Sequence, residues 1–169
     1  MRILIPCILL LFVPALVIAE PPGDGEVFRY THFSVRFPGK PKDHSQKVKS
    51  DLGALKLVTA TFALADGSVF IASFTEYPPE AIKPDVRGTL FDGVVKGLAG
   101  RDGKVVSEKS VEIGAEKGRE VVIDKGKLQM RYRMVVKENR LIQLGALGSG
   151  EFATGKEATE FFDSFKHKP

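Results

Sequence analysis

The sequence predicts an α+β fold: a mainly antiparallel sheet of about seven to eight strands with helices packed on it. Three observations carry that expectation. Most of the chain beyond residue 27 alternates apolar and polar residues, or is rich in β-branched and aromatic ones. Turn signals (Pro38-Gly39, Asp66-Gly67, Asp102-Gly103, Lys125-Gly126) punctuate these stretches at short intervals. Two segments, one central and one terminal, switch to a helical period.

The first element is not part of the fold. Met1-Arg2 is a short positive start, Ile3 to Ile18 is almost unbroken apolar, and Val17-Ile18-Ala19 precedes the polar breaker Glu20-Pro21-Pro22-Gly23. That is the layout of a secretory signal peptide with its cut after Ala19. The run falls short of the roughly 20 apolar residues of a spanning helix and contains Pro6 and Pro14. Cys7, the one cysteine, lies inside the run and not at a cleavage point, which argues against a lipid anchor. The expected organisation is a signal peptide over residues 1–19, a linker over 20–27 and a single domain over 28–169. The exported form is therefore expected in the periplasm or outside the cell, with no stable membrane span. Without cysteine it relies on its core for stability, and cysteine-ligated zinc and thiol chemistry are excluded. Arg2 is the only charged residue of the leader, so the remainder carries one less than the formal +4 of the whole chain. That excess is too mild for nucleic acid.

His32 to Phe37 alternates and ends at Pro38-Gly39, which reads as a strand. Ser45 to Lys49 reads as a lysine-rich edge strand. Ala54–Leu64 and Val69–Tyr77 form a hairpin about Asp66-Gly67. Pro84 opens a helix reaching Arg101, whose stripe is Val86, Leu90, Phe91, Val94, Val95 and Leu98. Its glycines Gly88, Gly93 and Gly97 suggest close packing on the sheet. Lys104–Ile113, Arg119–Ile123, Leu128–Val136 and Leu141–Leu147 follow as strands. The last helix begins with a capping box of Thr154 and Glu157, buries Ala158, Phe161, Phe162 and Phe165, and ends in Lys166-His167-Lys168, where positive charge suits a helix C-terminus.

A turn centred on Lys125-Gly126 sets Val121 against Met130, Ile123 against Leu128 and Glu120 against Arg131; slipping one residue would oppose Arg119 and Arg131. A three-residue turn at 137–139 sets Tyr132 against Leu144 and Met134 against Ile142. One face then collects Val121, Ile123, Leu128, Met130, Tyr132, Met134, Ile142, Leu144 and Ala146. The other mixes Glu120, Arg131 and Arg133 with Val122, Val135 and Leu141, which implies cover by helices on both sides.

Motifs for chemistry are thin. Gly150 to Lys156 has P-loop spacing, but Glu157 stands where a P-loop needs Ser or Thr, and no second βαβ half follows. His32, His44 and His167 are far apart in the sequence; Asp43-His44-Ser45 contains triad residue types as mere neighbours, and no Gly-x-Ser-x-Gly elbow exists. The acid pairs Asp85/Asp92 and Glu108/Glu112 fit solvated faces. Glu120 with Arg131 reads as a structural ion pair; Arg131 with Arg133 is a candidate anion site. Lys40, Lys42, Lys47 and Lys49 form either a solubilising edge or a contact for anionic envelope polymers. No enzyme activity, cofactor or metal is expected. The expected role is binding a protein or an anionic cell-envelope component, the alternative being a small-ligand carrier with an apolar pocket near Phe91, Tyr132 or Phe162.

The element order also resembles the PsbP-like superfamily, named for an extrinsic protein of the photosynthetic oxygen-evolving complex. The resemblance rests on Phe33-Ser34-Val35-Arg36-Phe37-Pro38 as an opening strand and on the helix around Val86–Leu98. It continues through Met130-Arg131-Tyr132-Arg133 and Arg140-Leu141-Ile142-Gln143-Leu144, and ends in the helix bearing Phe161-Phe162-Asp163-Ser164-Phe165. It implies a small α/β/α sandwich and an exported, partner-binding protein without common catalysis. No binding residue carries over from it.

Overall fold

A computed structural model describes residues 25–50 and 53–168. The signal peptide, with Cys7, and the linker up to residue 24 lie outside the described residues. The strands are β1 (Glu26–Arg29), β2 (Phe33–Phe37), β3 (Lys42–Ser50), β4 (Gly53–Ala63) and β5 (Val69–Glu76), followed by helix α1 (Arg87–Ala99). Then come β6 (Lys104–Ile113), β7 (Glu116–Asp124), β8 (Gln129–Lys137) and β9 (Arg140–Gly148), helix α2 (Lys156–Asp163) and β10 (Lys166–His167). Seven strands form one antiparallel sheet in the order β3-β4-β5-β9-β8-β7-β6, and β1-β2-β10 form a small second sheet. The expected α+β architecture, with helices on both faces of a mainly antiparallel sheet, is what the chain adopts.

Two cores flank the large sheet. On one face β2 and α2 pack Phe33, Val35, Phe37, Phe161 and Phe162 against Phe62, Phe70, Phe74, Ile142 and Leu144. Ring centroids of Phe70 and Phe161 lie 4.9 Å apart, and those of Phe37 and Phe161 5.1 Å, distances typical of favourable aromatic contact. On the other face α1 lays Leu90, Phe91, Val95 and Ala99 over Val121, Ile123, Met130, Tyr132 and Met134. Being covered on both sides explains why β8 and β9 do not show a clean alternation.

Turn chemistry sets the registers, and it differs from expectation in two instructive ways. Asp124 accepts from the Gly126 amide at 2.7 Å, Gly126 takes φ of 78°, and the Lys125 amide bonds the Leu128 carbonyl at 2.8 Å. The turn thus centres one residue later than Lys125-Gly126. Ile123 opposes Met130, Val121 opposes Tyr132 and Glu120 opposes Arg133. Sliding the partner by two residues keeps each side chain on its expected face.

The β8–β9 turn has two residues, not three. Glu138 adopts φ of 54° and ion-pairs with Arg140, so Lys137 pairs with Arg140, Tyr132 with Gly145 and Met134 with Gln143. This shift is odd, so Ile142, Leu144 and Ala146 lie on the α2 side, while Leu141 and Leu147 join Tyr132 on the α1 side. Gly145 is required where it stands: a Cβ there would lie 2.6 Å from the Tyr132 ring.

Other boundaries move for local reasons. β1 begins at Glu26, within the stretch expected as linker, because β2 offers it a full antiparallel partner. α1 runs from Arg87, after a 3₁₀ turn at Pro84–Val86. Gly88 and Gly93 do not mediate close packing on the sheet; a Cβ at either meets nothing within 4 Å among the described residues. The Thr154–Glu157 capping box does not form. Thr154 sits in a 3₁₀ turn and donates to the Glu151 carbonyl at 3.2 Å, and Gly155 caps α2 without a side-chain bond. Lys166 and His167 are not helix-end charges: they pair with Ser34 and Phe33 as β10.

Candidate functional site

The anion-site candidates Arg131 and Arg133 project from β8 toward α2, and the register brings Glu120 of β7 between them. Glu120 lies directly opposite Arg133 and diagonal to Arg131. Arg131 Nη2 donates to Glu120 Oε2 at 2.8 Å and Arg133 Nε to the same oxygen at 2.6 Å. The second oxygen, Oε1, is 3.1 Å from Nζ of Lys109 on β6, which opposes Glu120 from the other side. α2 completes the cluster. Arg131 Nη1 donates to Thr159 Oγ1 at 3.1 Å, Arg133 Nη1 to Asp163 Oδ1 at 2.8 Å, and both guanidinium groups lie over the Phe162 ring at 4.8 and 5.1 Å. The ion pair of Glu120 with Arg131 read from the sequence is present; its extension to Lys109, Thr159, Phe162 and Asp163 needed the fold.

Glu120 is only 4% exposed. Burial alone would raise its pKa, but hydrogen bonds from Arg131, Arg133 and Lys109 outweigh it and hold the carboxyl down at about 2. Such a group neither accepts nor releases a proton near neutral pH, and arginine does not titrate there either. The arrangement's chemistry is that of a charged clamp fixing α2 to the sheet. A free anion approaching Arg131 or Arg133 competes with Glu120 and Asp163 for the same donors.

A second clamp, unforeseen in the sequence, uses the neighbouring residue. Arg119 points to the opposite face of β7, where its Nη1 meets Asp92 of α1 at 2.5 Å and Glu108 of β6 at 2.8 Å, with the guanidinium 5.3 Å from the Phe91 ring centre. Arg119 and Glu120, consecutive on one strand, therefore tie down helices on opposite faces. The strand period of two makes this possible; the one available signal was an Arg-Glu pair directly before the apolar run Val121–Ile123.

The remaining candidates scatter. His44 is exposed on β3, and Asp43 and Ser45 flank it on the opposite face of that strand. His32 and His167, distant in sequence, come near one another, His32 just before β2 and His167 on β10: His167 pairs with Phe33, and the Lys168 amide donates to the His32 carbonyl at 2.9 Å. Their rings have separate surroundings. His167 packs edge-on to Phe165, with Nε2 3.1 Å from the Ile113 carbonyl, while His32 is half-buried beside Tyr30. Burial, followed by nearby Lys137, lowers the pKa of His167; burial, followed by Arg140, lowers that of His32. Asp85 is exposed, and Glu112 opposes Lys117 across the β6–β7 ladder. Gly150 to Lys156 folds as a 3₁₀ turn leading into α2. Phe91 and Tyr132 belong to the core under α1 and Phe162 to the core under α2, so the large sheet lies between them. Lys40, Lys42, Lys47 and Lys49 lie on and just before the outer strand β3. Among the described residues, no three His, Cys, Asp or Glu side chains are grouped to hold a metal, and no helix is long and apolar enough to cross a membrane.

No family model matches the chain, and no curated protein matches it. Among solved structures it is similar to a protein of unknown function from Pseudomonas aeruginosa, at 10% identity and a TM-score of 0.38 over 81% of this chain and 91% of that one. It is also similar to cyanobacterial PsbP from Synechocystis sp. PCC 6803, at 11% identity and a TM-score of 0.56, covering 85% of this chain and 92% of that one. With the registers, the paired cores and this coverage together, the fold of the chain is PsbP-like.

Proposed function

We propose that this is an exported, non-enzymatic protein that binds a protein or cell-envelope partner. The observation that carries the reading is the PsbP-like fold combined with the way its polar residues are used. Glu120, Arg131 and Arg133, and likewise Asp92, Glu108 and Arg119, are engaged with one another as helix clamps. The three histidines do not assemble with a nucleophile or carboxylate into a catalytic constellation, the arrangement that acyl transfer or hydrolysis demands. The apolar leader with its small-residue boundary at Ala19 supports export.

The test combines two measurements on protein recovered from its host. N-terminal sequencing is expected to begin at Glu20; a native product beginning at Met1 overturns export. The purified protein is expected to be retained by an envelope fraction and to lack hydrolytic activity. Retention no greater than that of an unrelated protein of the same net charge removes the binding role.

A further inference from the structure

The two outer strands of the large sheet treat their charges differently. Along β6, Glu108 and Lys109 are both drawn inward, to Arg119 and Glu120. Along β3 no such pairing occurs: among the described residues, Lys42, Lys47, Lys49 and the adjacent Lys56 of β4 have no carboxylate within ion-pair distance, the salt bridges being made elsewhere. Residues 40–56 contain five lysines against Asp43 and Asp51, an excess of three. Arg2 aside, that excess equals the whole net charge of the chain, formally +4. Beyond Arg2, the rest of the chain is formally neutral in sum, and the net positive excess falls on one hairpin.

Lysines on an edge strand commonly serve to keep sheets from pairing. Two features go beyond that purpose. Lys56 is not on the edge but one strand in, and it stands between Lys47 of β3 and Glu76 of β5, which Arg140 holds. Like charges in that position are unfavourable, and protecting an edge does not require them. β3 is also open: it ends the strand order, it is exposed or half-exposed along its whole length, and from Asp43 to Lys49 its outward N–H and C=O groups face no further strand among the described residues.

We propose that this hairpin is the docking site for an extended acidic polypeptide segment, which adds to the sheet alongside β3. The inference deepens the binding role above and rests on it. An incoming strand would set alternate residues beside Lys47 and Lys49, which share a face with Lys56, so carboxylates two apart match the row; Lys42 and His44 await the other face. Backbone pairing supplies affinity, and the lysines supply the choice of partner. The open ladder favours a polypeptide over a lipid surface, which would use the charge alone.

The probe is a fluorescent peptide of about ten residues, a length typical of long strands, alternating Glu with Thr; a second version is N-methylated at every other amide. Polarisation titrations on the purified protein are expected to show binding that weakens about tenfold or more in Lys47→Glu/Lys49→Glu, and as much with the N-methylated peptide. Lys125→Glu/Lys127→Glu, in the turn between β7 and β8, is expected to leave it unchanged. Denaturant midpoints equal to the parent's establish that the variants are folded. Equal binding of both peptides overturns strand addition. Binding to phosphatidylglycerol vesicles without binding to the peptide, or no binding to either, overturns the acidic-segment proposal. Envelope retention that survives Lys47→Glu/Lys49→Glu rejects this surface yet leaves the binding role standing; loss of retention in the parent protein itself removes that role.

Discussion

The β6 edge and the β3 edge of the same sheet show how one set of residue types does two jobs. β6 borders β7, whose Arg119 and Glu120 reach to opposite faces, and the charges of β6 are absorbed into those clamps. β3 borders β4, whose Lys56 stands opposite Glu76 of β5, a carboxylate held by Arg140, and the lysines of β3 face water. The difference lies in the strand next inward: β6 and β3 are both largely exposed, but β7 presents a buried Glu120 and a half-buried Arg119 where β4 presents an exposed Lys56. Where a helix covers the strand, an ionised group must find a partner or lose its charge; where nothing covers it, a lysine costs little and is available to others.

That comparison can be broken experimentally, most severely at Glu120. Glu120→Ala removes the carboxylate that the buried Arg131 and the half-buried Arg133 share, and the expected loss is about 3–5 kcal/mol of stability by urea denaturation, the range for stranding a buried charge. A loss under about 1 kcal/mol, the range of surface pairs, would place the β6 side on the same footing as the β3 side.

Acid gives the next largest effect. The carboxyl of Glu120 is held below its ordinary value of 4.5, at about 2. A depressed carboxylate contributes stability that is present above the unfolded value and lost as pH falls through the folded one. Stability is therefore expected to fall by about 3 kcal/mol between pH 4.5 and 2 from this group alone. In Glu120→Gln that component should vanish from denaturation curves taken across the same range. An unaltered acid limb would mean that other carboxylates dominate.

On the β3 side the expected effects are small and of opposite sign. Lys47→Thr relieves the like-charge opposition to Lys56, so stability should hold or rise by no more than about 0.5 kcal/mol. The gain should shrink in 0.5–1 M salt, where the Debye length is only a few ångströms. A destabilisation would show that Lys47 does structural work after all, and would bring the two edges together.

How much of this was legible beforehand depended on whether a feature was local. The strands, the Asp66-Gly67 hairpin, the amphipathic central helix and Phe161 and Phe162 on one face of α2 all follow from patterns a few residues long. Registers did not, because a single residue at a turn decides them. Asp124 bonding Gly126 moved one turn by a position and left the faces intact; Glu138 in a left-handed conformation removed a residue from the next and exchanged the faces of Ile142 and Leu144 for those of Leu141 and Leu147. A glutamate is an unusual choice for positive φ, so nothing in Lys137-Glu138-Asn139 announced it. The candidate site was half visible. Glu120, Arg131 and Arg133 lie within one hairpin, whereas Asp163, Thr159 and Lys109 arrive through packing. β1 and β10 escaped notice because each is short and exists only through β2.

Strand β2 stands between the earliest and the latest segments of the described chain, with β1 on one side and β10 on the other. Its bond to Lys166 and His167 spans almost the full length of the polypeptide, among the slowest kinds of contact to establish. The small sheet therefore closes only once Lys166 and His167 are in place. A nascent chain stalled, or clipped, just short of Lys166 would carry nearly every strand and both helices, yet leave one flank of Phe33 and Ser34 without a neighbour.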